Sequence, residues 1–126
     1  MKYKSIFWGK VTSGKKRGHL LGFPTANINL HKNIPEGIYI SLAIVNKHAH
    51  PALTFVGSPK TFKEDDVKAE THFLKFKKNI YGTWISVRLL KKIRKNQNFK
   101  SSQDLVKQME KDKQNAQKFF KLNKYV

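Results

Sequence analysis

The chain has no cysteine, which excludes both a disulfide framework and a thiolate metal site and fits a reducing compartment. It also has no apolar run near the roughly 20 residues of a membrane span, and the opening MKYKSIFWGK lacks the apolar stretch of a secretion signal. A soluble cytoplasmic protein with no membrane partner is therefore expected. Acidic residues are scarce, 8 against 26 basic ones, and arginine is rarer still, confined to Arg17, Arg88 and Arg94. The 126 residues are enough for one hydrophobic core and too few for two, so 1–126 reads as a single domain and a monomer.

The imbalance gives a net charge of +18, which alone would suggest nucleic acid or an acidic membrane as partner. Its distribution weakens that inference. The lysines run from Lys2 to Lys124 without forming one stripe, whereas base-edge and bidentate phosphate recognition favour arginine. A lysine coat serves solubility, and its field also attracts a nucleotide polyphosphate.

Two-residue alternation dominates the first three quarters of the chain. Phe7, Gly9 and Val11 oppose Ile6, Trp8 and Lys10; Ile38, Ile40, Leu42 and Ile44 oppose Tyr39, Ser41 and Ala43; Ile85, Val87 and Leu89 oppose Trp84, Ser86 and Arg88. Each segment reads as a half-buried strand. Further strands are expected around Leu53 to Val56 and Ala69 to Phe76, with turns at Asn33 to Gly37, Asn46 to Pro51, Gly57 to Pro59 and Asn79 to Gly82. With no helical pattern between them, the strands should form an antiparallel sheet that closes on itself to remove its edges, a barrel over about 1–95. The exception is the C-terminal segment. Ser101 can cap a helix with Asp104 three residues on, and Leu105, Met109, Ala116 and Phe120 recur at helical spacing, so a helix over about 102–120 should pack on the barrel, leaving Lys121 to Val126 as a tail.

The most specific stretch is Gly14 to Asn27, GKKRGHLLGFPTAN. Gly14, Gly18 and Gly22 allow close backbone approach to phosphate oxygens, while Lys15, Lys16 and Arg17 add positive charge. Pro24 biases Phe23 toward an extended backbone, so Thr25 and Asn27, two apart, project from one side. A hydroxyl and an amide oxygen suit magnesium held mainly by nucleotide phosphates and water. The stretch is not a P-loop: GKVTSGK is followed by Lys16 where Ser or Thr is required, and Gly18, Gly22 and Pro24 interrupt any following helix.

GKVTSGKKRGHLLGFPTAN resembles the signature of the riboflavin kinase (flavokinase) family. The resemblance continues through Gly37-Ile38-Tyr39, the Gly57 to Phe62 loop, Glu70-Thr71-His72, Tyr81-Gly82, and Arg94, Phe99, Ser101, Leu105 and Asp112. It implies a six-stranded antiparallel Greek-key β-barrel with a C-terminal α-helix, an all-β fold. It also implies transfer of the γ-phosphate of ATP to the 5′-hydroxyl of riboflavin, giving FMN and ADP with Mg2+ as cofactor. Glu70 then matches the family's catalytic base. Thr25 and Asn27 match its magnesium and nucleotide contacts, with Gly14, Lys15, Arg17 and Gly18 in a flap over the phosphates and Arg94 and Phe99 in the loop that closes on the flavin. Departures fall at His19, where arginine is common, at Lys60, inserted between the usual Pro and Thr, and at Arg94-Lys95-Asn96, which lacks the usual Pro and Glu. Many bacterial flavokinases are fused to an adenylyltransferase; this length leaves no room for one, so FAD synthesis is expected elsewhere.

The acidic inventory leads to the same residue. Glu36 lies in a turn, Glu64 to Asp66 in a polar stretch, and Asp104, Glu110 and Asp112 in the expected helix, whereas Glu70 alone sits on an alternating strand, in register with His72, Leu74 and Phe76. His72, without a ligand-spaced companion, reads as a partly buried structural histidine. Two rival functions stay open: a basic barrel that binds single-stranded nucleic acid through lysines and exposed aromatics such as Trp8 or Trp84, and a flavin-binding relative without turnover.

Overall fold

The computed structural model describes residues 5–12, 25–30, 34–57, 68–75 and 80–123, with Ser5 and Thr25 described by their backbone only. Six strands form one antiparallel sheet: β1 (Ser5–Lys10), β2 (Thr25–Asn29), β3 (Gly37–Val45), β4 (His48–Gly57), β5 (Lys68–Phe73) and β6 (Trp84–Arg94), followed by helix α1 (Ser102–Asn123). The spatial order is β1-β6-β3-β4-β5-β2. Strands β3, β4 and β5 are successive neighbours and β6 returns beside β3, which is the Greek-key connection.

The two ends of this order meet. Thr12 bridges Asn27, its N–H and hydroxyl both donating to the Asn27 carbonyl at 2.8 and 3.1 Å, which brings the end of β1 against β2. Gly9 makes that approach possible. A Cβ at this position would stand 2.1 Å from Ile28 Cγ2, far inside van der Waals contact. The sheet thus curls into the nearly closed barrel expected from strand periodicity.

Alternation sorts the side chains onto two faces. Phe7, Val11, Ala26, Ile28, Tyr39, Ala43, Val45, Ala52, Val56, Ala69, Phe73, Ile85, Val87 and Leu89 pack together as the barrel interior. The interior also holds Ser41, Thr54 and Thr71, all fully buried, whose hydroxyls form a chain across β3, β4 and β5 at 2.8 and 3.0 Å. On the outer face, Ile38, Ile40, Leu42, Leu53, Phe55 and Leu90 pack against Met109, Ala116 and Phe120 of α1. Strand β3 is therefore buried on both faces and not half-buried as its alternation suggested. An alternating pattern separates two faces but cannot show that a helix covers the second.

Three element boundaries also differ from expectation. The β3–β4 connection is a two-residue turn at Asn46-Lys47, both with positive φ, so Pro51 lies inside β4 and not in a loop. Strand β5 ends at Phe73: Leu74 and Lys75, expected to extend it, form a bend, and Phe76 lies outside the described residues. Helix α1 continues through Asn123, so the expected tail is helical as far as it is described. The cap is as anticipated: the Asp104 N–H donates to Ser101 Oγ at 3.1 Å.

The buried stripe of α1 includes Asp112 along with Met109, Ala116 and Phe120. Its carboxylate receives three hydrogen bonds from Arg94 at the end of β6, from Nε at 3.0 and 3.2 Å and from Nη2 at 2.7 Å, and a fourth from Gln108 Nε2 at 3.1 Å. This fork-shaped pair ties the helix to the barrel at a fixed rotation.

Two stability predictions follow from these contacts. Gly9→Ala should destabilise the barrel by about 1–3 kcal/mol, the usual cost of overpacking, and a urea midpoint equal to that of the parent chain would contradict the closure at Ile28. Asp112→Ala leaves the mostly buried Arg94 guanidinium without its partner and should cost about 3–5 kcal/mol in the same measurement; a loss below about 1 kcal/mol would show that the pair does not anchor α1.

Candidate active site

Strand β5, KAETHF, lies between β2 and β4 and presents one acid. Ala69, Thr71 and Phe73 fill the barrel interior, which turns Glu70 and His72 to the outer face. Glu70 pairs directly with Asn27 on β2 and with Phe55 on β4. Phe55 in turn pairs with Ile38, and Ile38 with Arg94. Residues 27, 70, 55, 38 and 94 thus form a single row across five strands on one face. At about 4.8 Å per strand the row spans roughly 19 Å, with Phe55 and Ile38 at its centre buried in the cluster that α1 covers.

The row carries Asn27, Glu70 and Arg94, residues assigned from sequence to three different tasks, the first two as direct partners and Arg94 three strands from Glu70. Thr25 pairs in register with His72, one step along the same two strands. Its side chain, together with Gly14, Lys15, Arg17 and Gly18, lies outside the described residues.

Glu70 is mostly buried, its side chain 12% exposed, and its Oε1 lies 2.6 Å from Nε2 of the fully buried His72. The imidazole stacks at a tilt on Phe55, with ring centroids 4.7 Å apart and planes at 30°. His72 Nδ1 is buried and has no hydrogen-bond partner among the described residues, so the ring's polar contact is the one to Glu70. A proton on Nε2 uses that contact and leaves the unprotonated nitrogen on the unpartnered side. Sequence reading took His72 as partly buried and without a companion. It is wholly buried, and its companion is the glutamate two residues before it, a spacing that places both on one face of a strand.

Asn27 is 7% exposed; its carbonyl is used by Thr12, but its amide nitrogen is buried with no partner among the described residues. Amide oxygen and nitrogen are interchangeable by a flip, so the buried end of this side chain, whichever atom it is, lacks a partner among the described residues. An amide oxygen and a hydroxyl are hard donors, suited to magnesium that arrives with nucleotide phosphates. Among the described residues no cluster of three or more His, Asp or Glu could hold a metal by itself. Of the amide and hydroxyl pair only the Asn27 amide is described, and it would fit a cation that is largely coordinated by its nucleotide.

At the other end of the row, the Arg94 guanidinium carbon lies 5.9 Å from the Phe55 ring centroid and 6.0 Å from that of Phe99, within cation–π range of both. Its Nε and Nη2 bind Asp112, and Nη1 donates to the Lys95 carbonyl at 3.3 Å. Asn96 Nδ2 donates to the Val56 carbonyl at 3.0 Å, pinning the segment after β6 to the end of β4. Phe99 is therefore linked through Arg94 to the ring that flanks Glu70. Sequence reading did not assign a role to Asp112 or Phe55. An acid at position 112, between Met109 and Ala116 on a helical stripe, was the available signal for the first; the second depends on register and left none.

A family model described as "Flavokinase: Riboflavin kinase" matches residues 1–120. Among curated relatives, the "Bifunctional riboflavin kinase/FMN adenylyltransferase" of Bacillus subtilis is 35% identical over 118 residues, covering 89% of this chain and 37% of that protein. The "Trifunctional protein RibF/MnmA" of Mycoplasmoides gallisepticum is 37% identical over 115 residues, covering 89% of this chain and 18% of its own. The chain thus spans well under half the length of these relatives. A solved riboflavin kinase from Trypanosoma brucei superposes with a TM-score of 0.64 at 26% identity, covering 92% of this chain and 79% of that one. A solved protein from Streptococcus pneumoniae described as a macrolide-efflux protein superposes with a TM-score of 0.77 at 29% identity, over 89% of this chain and 38% of that one. The family match across residues 1–120 shows that this chain belongs to the flavokinase (riboflavin kinase) family.

Proposed function

We propose that the chain transfers the γ-phosphate of ATP to the 5′-hydroxyl of riboflavin, making FMN and ADP. The observation that carries this reading is the direct pairing of Asn27 with Glu70 across β2 and β5, which puts a carboxylate beside the residues suited to a magnesium-bound triphosphate. The family membership supports the substrate class.

In this reading Glu70 holds the flavin's terminal hydroxyl and accepts its proton as the oxygen attacks the γ-phosphorus in line; the bond to the β-bridging oxygen breaks and ADP leaves. Asn27 and Thr25 hold the metal, which when bound offsets charge on the phosphoryl oxygens. Gly14, Lys15, Arg17 and Gly18 cover the phosphates, and the lysine-rich surface raises the local concentration of the anionic nucleotide. Arg94 and Phe99 form the flavin end, Arg94 by holding Phe99 in place through its stack and its Asp112 pair. Because the protein does little covalent work, positioning carries most of the rate.

A second reading has one observation in its favour. Trp8 and Trp84 are 68% and 65% exposed on the paired strands β1 and β6, where bases of a single strand could stack. Incubating the purified chain with riboflavin, MgATP and, separately, a single-stranded RNA distinguishes the two. FMN in the chromatogram supports the kinase. Salt-steep RNA binding with no riboflavin-dependent ADP release supports the second reading.

Two substitutions test the assignment of roles. Glu70→Gln should lower turnover by about 10²- to 10⁴-fold while nucleotide affinity stays near that of the parent chain, and near-normal turnover would remove Glu70 as base. Thr25→Ala and Asn27→Ala should each weaken MgATP binding by about tenfold and riboflavin binding far less, the loss of one hydrogen-bonding group toward a charged ligand. Unchanged MgATP affinity in both, by calorimetry, would refute the metal assignment.

A further inference from the structure

We propose that His72 is a positioning residue for Glu70: a buried hydrogen-bond donor that fixes one carboxylate oxygen so that the group meets the flavin hydroxyl in a single orientation. The inference rests on the reading of Glu70 as base. What it adds is a partner for that base, on the same strand and in the row behind it.

Four observations converge on the pair. The 2.6 Å separation between His72 Nε2 and Glu70 Oε1 is short, as expected for a hydrogen bond to a carboxylate. The two residues are i and i+2 on β5, so the strand itself sets their spacing and no loop can alter it. The imidazole is immobilised by packing: it is 0% exposed, stacks on Phe55, and pairs in register with Leu53 on β4. Finally, Nδ1 has no partner among the described residues, so a histidine placed here only to satisfy core hydrogen bonding leaves half its polar capacity unused, whereas one placed to serve Glu70 uses the nitrogen that matters.

A glutamate side chain has three rotatable bonds, and one on the outer wall of a barrel could swing between solvent and Asn27. Anchoring Oε1 removes most of that freedom. Misplacing a base by about 1 Å can cost of order 100-fold in rate, so an anchor of this kind acts on kcat and leaves ground-state binding largely alone.

The test uses three variants of the full chain, each assayed for kcat, for KM toward riboflavin and MgATP, and for thermal unfolding. The amide nitrogen of glutamine falls close to the position of Nε2, so His72→Gln should keep kcat within about fivefold of the parent chain. The amide nitrogen of asparagine falls close to the position of Nδ1, so His72→Asn should lose kcat by about 100-fold, as should His72→Leu, with both KM values nearly unchanged. A purely structural histidine would give another pattern: kcat following the folded fraction in all three variants, with no rescue by glutamine. That pattern, or parental kcat in His72→Asn, overturns the proposal. Should the leucine variant fail to fold, the comparison of Gln with Asn decides alone. Glu70→Gln is assayed alongside. Turnover surviving in that variant overturns the base reading and this inference with it, whereas an inactive Glu70→Gln beside a fully active His72→Asn overturns the role of His72 only.

Discussion

The hydroxyl chain from Ser41 through Thr54 to Thr71 is the constraint on which the candidate site depends. It lies in an otherwise apolar barrel interior, where an unpaired hydroxyl costs roughly 1–3 kcal/mol, so the three strands are stable only in the register that joins all three groups. Thr71 sits between Glu70 and His72. With its side chain inside, its neighbours face out, Glu70 opposite Asn27 on one side and Phe55 on the other. A slip of one residue would drive a carboxylate and an imidazole into the interior and separate the row, so a polar feature of the core sets the geometry of the outer face.

The outer face does two jobs that compete for the same surface. Its centre is apolar and covered by α1, through Ile38, Ile40, Leu53 and Phe55, while the ends of the row carry polar groups. Arg94 marks the boundary. Its guanidinium, between Phe55 and Phe99, is neutralised by the buried Asp112, so the helix that shields the apolar centre is held by the same residue that stacks on Phe99. This arrangement couples the seating of α1 to the placement of Phe99. Replacing Arg94 would disturb both, which makes it a poor single probe of flavin contact.

Much of this was legible in the sequence, for identifiable reasons. Strand alternation at Phe7 to Val11 and Ile85 to Leu89, and the Ser101 cap with its stripe from Leu105 to Phe120, reflect local geometry, and these elements appear where expected. Glu70 could be singled out because it is the one carboxylate on any of the six strands. What was hidden depended on pairing. That β3 is buried on both faces, that Asn27 stands opposite Glu70, and that Arg94 meets Asp112 across 18 residues are consequences of sheet order and helix docking, which no local pattern encodes. The turn expected from Asn46 to Pro51 was drawn too long for a different reason: Lys47 at φ 70° is an unusual occupant of a tight hairpin, and Pro51 suggested a loop.

The charge distribution closes the argument about the site. A carboxylate needed as a base is a liability beside a polyphosphate, because like charges repel. Here the chain limits that repulsion in two ways. Strands β1, β2, β3, β4 and β6 contribute no acid, so the strand neighbours of Glu70 add no negative charge beside it. Among the described residues, Asp112 and Glu70 each have a local donor, the Arg94 fork and the His72 ring. Asp112 is cancelled outright by a full positive charge. Glu70 instead meets the imidazole of His72, Nε2 to Oε1, at 2.6 Å. Under the proposed reading, the carboxylate paired with arginine anchors α1 and the one paired with histidine serves as the base.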